Sequence, residues 1–281
     1  MCTPRRIAAG RILVLAATAL VLLAGPALAQ AYYWGDGTPD GKRSIGGGGH
    51  LVFYDVGADG RWLNAIEMFG SRYGGAEPPD EDFHLYIVDI ERTILAEVAL
   101  PYSLWERGEE YWRDLPIPPM QVPRQFGIGL TFNAEQTKGV FVGIDNGRSY
   151  SYSWVPGGEG TPTEDFNWMI RATVEDEPFG DPDARELIVL TDGVAFFDTV
   201  TGMTADGAVQ TAGQGALAMG DITTIRLDAF RPQVAGGVTV VLTSGATVRG
   251  ALVGIDAESV RLDAGGQERT IPKELIARID F

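Results

Sequence analysis

Cysteine and histidine are nearly absent. The only cysteine is Cys2, and the only histidines are His50 and His84. A lone cysteine excludes a disulfide framework and cysteine-ligated zinc. The histidines show no H-x-H or H-x-x-x-H spacing, so packing or surface roles are expected of them rather than a zinc site. Basic residues are also scarce, 22 against 38 acidic ones, for a net charge of −16. A chain this acidic repels nucleic acid and anionic membrane surfaces. No G-x-S-x-G is present, so an α/β-hydrolase serine elbow is excluded. Sustained helical periodicity is missing too.

Glycine, by contrast, is plentiful, and Gly46 to Gly49 form an unbroken run in "DGKRSIGGGGHLVFYD". A phosphate loop needs G-x-x-x-x-G-K-[ST] between a strand and a helix. Here Gly37 stands one residue too close to Gly41-Lys42, and Arg43 occupies the Ser/Thr position. The residues after Gly49, "HLVFYD", read as a strand. The run is therefore expected to bend the chain and let backbone lie close beside another strand.

The N-terminus reads as a secretory leader. Arg5, Arg6 and Arg11 precede the apolar run Ile12 to Gly25, followed by "PALAQA" with Ala27 and Ala29 in an A-x-A arrangement. The run is too short for a transmembrane helix of about 20 residues. Sec-type export fits better than twin-arginine export. Cleavage after Ala29 would remove Cys2, and removing three arginines from 22 basic residues would leave 19 against 38 acidic. Thiol catalysis is then excluded. The expected location is exported, either periplasmic or secreted, with no stable membrane insertion after cleavage.

Composition changes near residue 175. All six tryptophans precede the acidic, proline-containing stretch 176–184, which reads as a linker. Residues 31–175 show period-two alternation. In "FGIGLTF", Phe126, Ile128, Leu130 and Phe132 share one face while Gly127, Gly129 and Thr131 share the other. About nine such strands between turn signals predict a jelly-roll-like β-sandwich. Beyond the linker, "LTDG" (190–193) matches "LTSG" (242–245), and "ITTIRL" (222–227) matches "IARIDF" (276–281). Two copies of about 50 residues, 185–233 and 234–281, predict two small β-barrel repeats, with one helical turn at "TIPKEL". The predicted fold class is all-β: a sandwich followed by two small barrels.

"DGKRSIGGGGH", "GSRYGG", "PYSLWERGE", "TKGVFVGID" and "DFNWMIR" together resemble a module of uncharacterised exported or multidomain bacterial proteins, over most of residues 36–174. That resemblance implies a β-sandwich and no particular chemistry. The "L-T-x-G … I-x-x-I" repeat resembles small Sm- or SH3-like barrels.

Candidate chemistry is sparse. Carboxylates in "EPPDEDFH" and "WERGEEYW" carry no catalytic signature. A structural Ca2+ ion is the one cofactor with a sequence basis, at the Asp-Gly turns holding Asp36, Asp40, Asp55 and Asp59, although such turns form without metal. Aromatic residues are the strongest functional feature. Trp105, Tyr111 and Trp112 cluster in one charged segment, and Tyr150, Tyr152 and Trp154 alternate with serines. If exposed, these rings stack on sugar rings or form a protein-binding patch; if turned to the partner sheet, they are core. Arg72, Arg107 and Arg171 are expected to pair with nearby carboxylates. The resulting expectation is an exported, non-catalytic binding or surface-assembly protein with a glycan or protein partner. The alternative is an extracellular hydrolase using rim carboxylates.

Overall fold

The computed structural model describes residues 30–227, 229–232, 237–244, 247–264 and 267–280. The predicted leader, residues 1–29, lies outside the described residues. The described residues are all-β, with their strands in antiparallel sheets. Among the described residues fourteen strands precede residue 176: β1 (Gln30–Tyr32), β2 (Gly41–Arg43), β3 (Gly49–Asp55), β4 (Arg61–Gly74), β5 (Asp82–Asp89), β6 (Ile94–Pro101), β7 (Tyr111–Leu115), β8 (Met120–Val122), β9 (Gln125–Thr131), β10 (Lys138–Asn146), β11 (Ser151–Trp154), β12 (Thr161–Pro162), β13 (Phe166–Trp168) and β14 (Ile170–Glu175). That exceeds the nine expected because β1, β2, β8, β12 and β13 are only two or three residues long. Pieces this short show no apolar alternation.

Two sheets face each other. One has the order β1-β14-β4-β10-β13, with β2 on β10 and both β7 and β8 on β4. The other runs β12-β11-β3-β9-β5-β6 and gains a seventh strand from beyond the linker. Between them lies one large core that includes Ile66, Met68, Phe83, Phe126, Ile128, Leu130, Phe132, Val140, Trp168 and Ala172. The alternation in β9 sends Phe126, Ile128 and Leu130 inward, as the sequence predicts.

Gly127 and Gly129 face outward, and their lack of side chains is filled. The Trp154 ring lies over Gly129, where a Cβ would come within 2.6 Å of it. Leu51 and Val88 close over Gly127, and with Tyr86 and Trp154 they make a second small core on the outside of the sheet. Gly129→Ala is therefore expected to displace Trp154 and to cost about 1–3 kcal/mol. Urea unfolding, with a shift in tryptophan emission, measures it.

The tetraglycine run behaves as a close-approach element. Gly47 has φ +69°, and Gly49 opens β3 directly, without a helix. A Cβ on Gly49 would stand 2.4 Å from the Leu130 carbonyl oxygen. The run thus lets β3 begin against β9.

Beyond the linker come β15 (Glu186–Leu190), β16 (Ala195–Asp198), β17 (Val200–Met203), β18 (Val209–Thr211), β19 (Gly215–Leu217), β20 (Ile222–Arg226) and β21 (Phe230–Pro232). The last five strands are β22 (Gly237–Leu242), β23 (Thr247–Ile255), β24 (Ser259–Ala264), β25 (Gln267–Pro272) and β26 (Ile276–Asp280). Each copy pairs its strands in the same order. The second runs β25-β24-β23-β22-β26; the first splits into β17-β18-β19 and β16-β15-β20 because its second strand breaks at Thr199. Both have a 3-10 turn before the last strand, Met219–Asp221 and Lys273–Leu275. Even the irregularities match. Leu190 pairs with Ile222 after a register shift, and Leu242 pairs with Ile276 after the same shift.

Neither copy closes into a barrel among the described residues, which differs from the barrels expected. In the second copy the 3-10 turn carries β26 across to β22, so β25 and β26 stay unpaired with each other. The copies also differ in burial. Leu187, Ile188 and Val189 are all buried, and Leu187 and Val189 join the sandwich core. β21, placed by sequence at the end of the first repeat, instead adds to β6 as the seventh strand, with Phe230 opposite Val98. Arg226 pairs with Asp82 of the sandwich. The second copy buries Val238, Val240, Val260, Leu262 and Ile271 in a core of its own.

Candidate functional site

The outward side of the eight-stranded sheet carries an aromatic and cationic row. Strand parity places it there. Phe69 is opposite Trp112, Glu67 opposite Arg171, and Ser71 opposite Phe141, while the alternate residues Ile66, Met68 and Ala172 face the core. Residues two apart on β4 share a face, so Glu67, Phe69, Ser71 and Tyr73 all point outward.

Arg171 is the centre of the row. Its guanidinium carbon sits 3.5 Å from the Trp112 ring centroid and 5.3 Å from that of Tyr33. Both are within cation–π range. Phe69 meets Trp112 edge-on at 5.6 Å. On the far side, Tyr73 and Phe141 have centroids 4.5 Å apart, and Lys42 lies 5.1 Å from Phe141 while pairing with Glu110. Lys42 holds the Glu110 carboxyl below its ordinary range, chiefly by hydrogen bonding. Glycines make room for the rings. A Cβ on Gly143 would stand 2.7 Å from Phe69, and one on Gly139 would meet the Tyr73 ring. Trp112, Phe69, Tyr73, Phe141 and Arg171 are half-buried, and Tyr33 is 47% exposed. Arg171 makes no ion pair among the described residues, contrary to the expected carboxylate pairing. Its charge is met by the faces of Trp112 and Tyr33.

The six aromatic residues singled out by sequence scatter to different places. Trp112 is in the row. Tyr111 sits at its edge, its hydroxyl accepting from the Glu106 N–H and from Arg113. Trp105 is 1% exposed and packs on Phe83, Phe132 and Tyr111, so it is core and offers no ring to a ligand. Trp154 is also 1% exposed, its indole N–H donating to the Gly158 carbonyl at 3.0 Å. Tyr150 stacks on Trp34 at 3.7 Å, and Tyr152 packs against Phe53 and Arg92. Tyr150, Tyr152 and Trp154 thus do not form a free platform, because the outer core over β9 absorbs the last two.

The proposed calcium residues are otherwise engaged. Asp36 accepts the Thr38 N–H and Asp40 the Asn146 N–H. Asp55 pairs with Arg124 at 3.0 Å, which pushes its carboxyl down to about 2, and Asp59 accepts the Arg124 N–H. Among the described residues no group of three or more His, Cys, Asp or Glu sits close enough to hold a metal ion. The two histidines are apart: His50 is in the sandwich interior, and His84 is half-exposed with Nδ1 3.0 Å from the Glu97 carboxylate.

The other flagged arginines resolve differently. Arg72, 4% exposed, donates to the carbonyls of Trp105, Gly75, Glu77 and Ala76 and to no carboxylate. Arg107 forms a backbone bridge with Arg72, and among the described residues it makes no ion pair.

Sequence reasoning missed Tyr33, Phe69, Tyr73, Phe141 and the role of Arg171. One signal was available: in "EMFGSRYG" the face opposite Ile66 and Met68 carries Phe69 and Tyr73. No protein-family model matches this chain, and neither does any curated protein or solved structure.

Proposed function

We propose that this chain is an exported, non-catalytic binding protein that recognises glycans through the outer face of its eight-stranded sheet. The observation that carries this reading is the Arg171 guanidinium held between Trp112 and Tyr33 on an open sheet face. Sugar rings present flat C–H faces to aromatic rings and hydroxyls to a fork of N–H donors. An unpaired guanidinium beside half-exposed rings supplies both. The row runs from Tyr33 to Phe141 across several strands, which suits a chain of sugars better than one small molecule.

The charge state of the carboxyls supports a non-catalytic role. A general acid in glycoside hydrolysis needs a carboxyl held above its ordinary range. Among the described residues, the carboxyls that are displaced, Asp55, Glu110, Asp198, Asp206 and Asp256, are displaced downward. Export rests on the leader-like N-terminus. Among the described residues no helix is long and apolar enough to cross a membrane.

A glycan array followed by calorimetry on the best hits tests the proposal. Trp112→Ala and Arg171→Gln are each expected to weaken binding about tenfold, the worth of one good stacking or charge-assisted contact. Both side chains are half-buried and stack on each other, so a melting curve of each variant is taken beside the binding measurement to separate lost contact from lost fold. An array without hits, or full affinity in both variants, would reject glycan recognition by this face.

A further inference from the structure

The outer face of the seven-stranded sheet carries its own pair of arginines laid on aromatic rings. Strand parity puts Phe53 of β3 and Tyr152 of β11 on that face, against the outer core of Leu51, Tyr86, Val88 and Trp154. Tyr150 stands two residues before Tyr152, and its carbonyl accepts the Phe53 N–H at 3.1 Å. Trp34 closes over Tyr150. Their rings are 3.7 Å apart, and the Trp34 indole N–H donates to the Phe53 carbonyl at 2.8 Å. The Arg92 guanidinium lies 5.1 Å from the Tyr152 centroid and 5.9 Å from that of Phe53. That of Arg148 lies 5.2 Å from Tyr150.

Neither guanidinium has an anionic partner. Among the described residues Arg92 and Arg148 make no ion pair and no side-chain hydrogen bond, and the Arg92 Nε is buried without a partner. In a chain of net charge −16 that is unexpected, since other cations find carboxylates: Arg124 with Asp55, Lys138 with Glu81, Arg226 with Asp82. Arg92 also sits there against its backbone preference. Its φ is +68°, in the β5–β6 turn where its N–H donates to the Asp89 carbonyl and the Thr93 N–H to the Asp89 carboxylate. A left-handed position in a short hairpin favours glycine. The turn itself therefore does not call for arginine, and what arginine adds is a charged fork laid on two rings.

We propose that this face binds a carboxylated glycan, a chain of uronic acid units. A guanidinium stacked on a ring keeps its edge N–H groups free, and its fork matches a carboxylate through two parallel bonds. The capped rings, Tyr150 and Tyr152, stand at alternate chain positions about 7 Å apart, so two anions of one ligand chain can be met. Trp34 and Tyr150, both half-buried, supply flat surface for sugar C–H groups. An acidic peptide suits the site less. Extended peptides take a sheet edge or a groove, whereas this is a sheet face. The neighbouring edge strand, β12, is two residues long and ends in Pro162, which has no N–H to donate. The net negative charge of the chain is screened beyond about 8 Å at physiological salt, so contact with the two forks decides binding. The site lies on the opposite side of the sandwich from Arg171 and does not rest on the reading of that face.

The test is calorimetry at about 150 mM salt with tetragalacturonate against its full methyl ester, which keeps the sugars and removes the charge. The acid is expected to bind about tenfold more tightly, the worth of charge-assisted bonds from two exposed forks. Arg148→Gln and Arg92→Gly should each cut that preference to about threefold, and together they should abolish it. Arg92→Gly also separates binding from a structural role. Glycine suits φ +68°, so the variant should melt no lower than the parent while the preference falls. Trp112→Ala should leave the preference intact, whatever the other face loses. Equal affinity for acid and ester, an unchanged preference in the double variant, or a tetraglutamate peptide bound as tightly as the uronate would overturn the proposal.

Discussion

Taking the protein from pH 7 to pH 4.5 is expected to cost about 2.5 kcal/mol of folding stability through His50 alone. His50 is 1% exposed between the two sheets. It meets Trp168 edge-on at 4.5 Å and Phe132 at 5.8 Å. Neither ring nitrogen completes a hydrogen bond. Burial lowers its pKa to about 3, with the nearby Leu130 carbonyl acting in the opposite direction as the smaller influence. The unfolded chain takes up the proton near pH 6.5. Between those values only the unfolded state is protonated, so each pH unit lost below 6.5 removes about 1.4 kcal/mol from the folded state. This stability is fully present above pH 6.5 and disappears toward pH 3.

Urea unfolding at pH 7 and 4.5 measures the slope. His50→Leu should flatten it by about the same amount. At pH 7 the variant should be as stable as the parent or slightly more so, since two unpartnered buried nitrogens are gone. His84→Gln serves as the control, because His84 is half-exposed beside Glu97. An unchanged slope in His50→Leu would show that His50 is not the group that refuses the proton.

Replacing Arg72 is the second large effect, about 3 kcal/mol for Arg72→Met. This guanidinium is buried in the sandwich without a carboxylate. Its Nε–H donates to the Trp105 carbonyl at 3.3 Å, one terminal nitrogen donates to Gly75 at 2.7 Å and Glu77 at 3.2 Å, and the other donates to Ala76 at 2.7 Å. One side chain thus satisfies four carbonyls in two loops, 75–77 and the turn at Trp105. Methionine fills the volume and leaves all four unpaired. Lysine restores the charge, but its three donors on one nitrogen do not span the fork, so Arg72→Lys should recover only part of the loss. Chemical unfolding gives the stability, and limited proteolysis near Gly75 reports the freed loop. Parental stability in Arg72→Met would mean that water replaces these bonds at no cost.

Much of the sandwich was legible because β-strands declare themselves in the side-chain period. Phe126, Ile128 and Leu130 face the core as the pattern requires, and the glycine run leads into a strand. The internal repeat was legible as well. The matched positions Leu190 and Leu242 carry the same register shift and the same first-to-last strand pairing. The binding face was only partly legible. Trp112 was marked by its aromatic neighbourhood, but Trp105 in the same segment went to the core, because it closes the 3-10 turn Tyr102–Leu104 and packs on Phe83 and Phe132, whereas Trp112 lies in β7 on the outward face. Arg171 looked like half of an ion pair. Its partners are Trp112 and Tyr33, some 60 and 140 residues away in the chain.

By itself the sequence determined the all-β class, the sandwich core of β9, the turn chemistry of the glycines and the presence of two related copies near the C-terminus. These follow from local periodicity and from glycine's missing Cβ. The tertiary structure alone decided which aromatic rings face solvent, that the first copy shares its core and a strand with the sandwich, and that Arg171 lies against Trp112 and Tyr33. Each of those depends on strands distant in the chain becoming neighbours, and a one-dimensional pattern says which face a residue takes but not what packs against it.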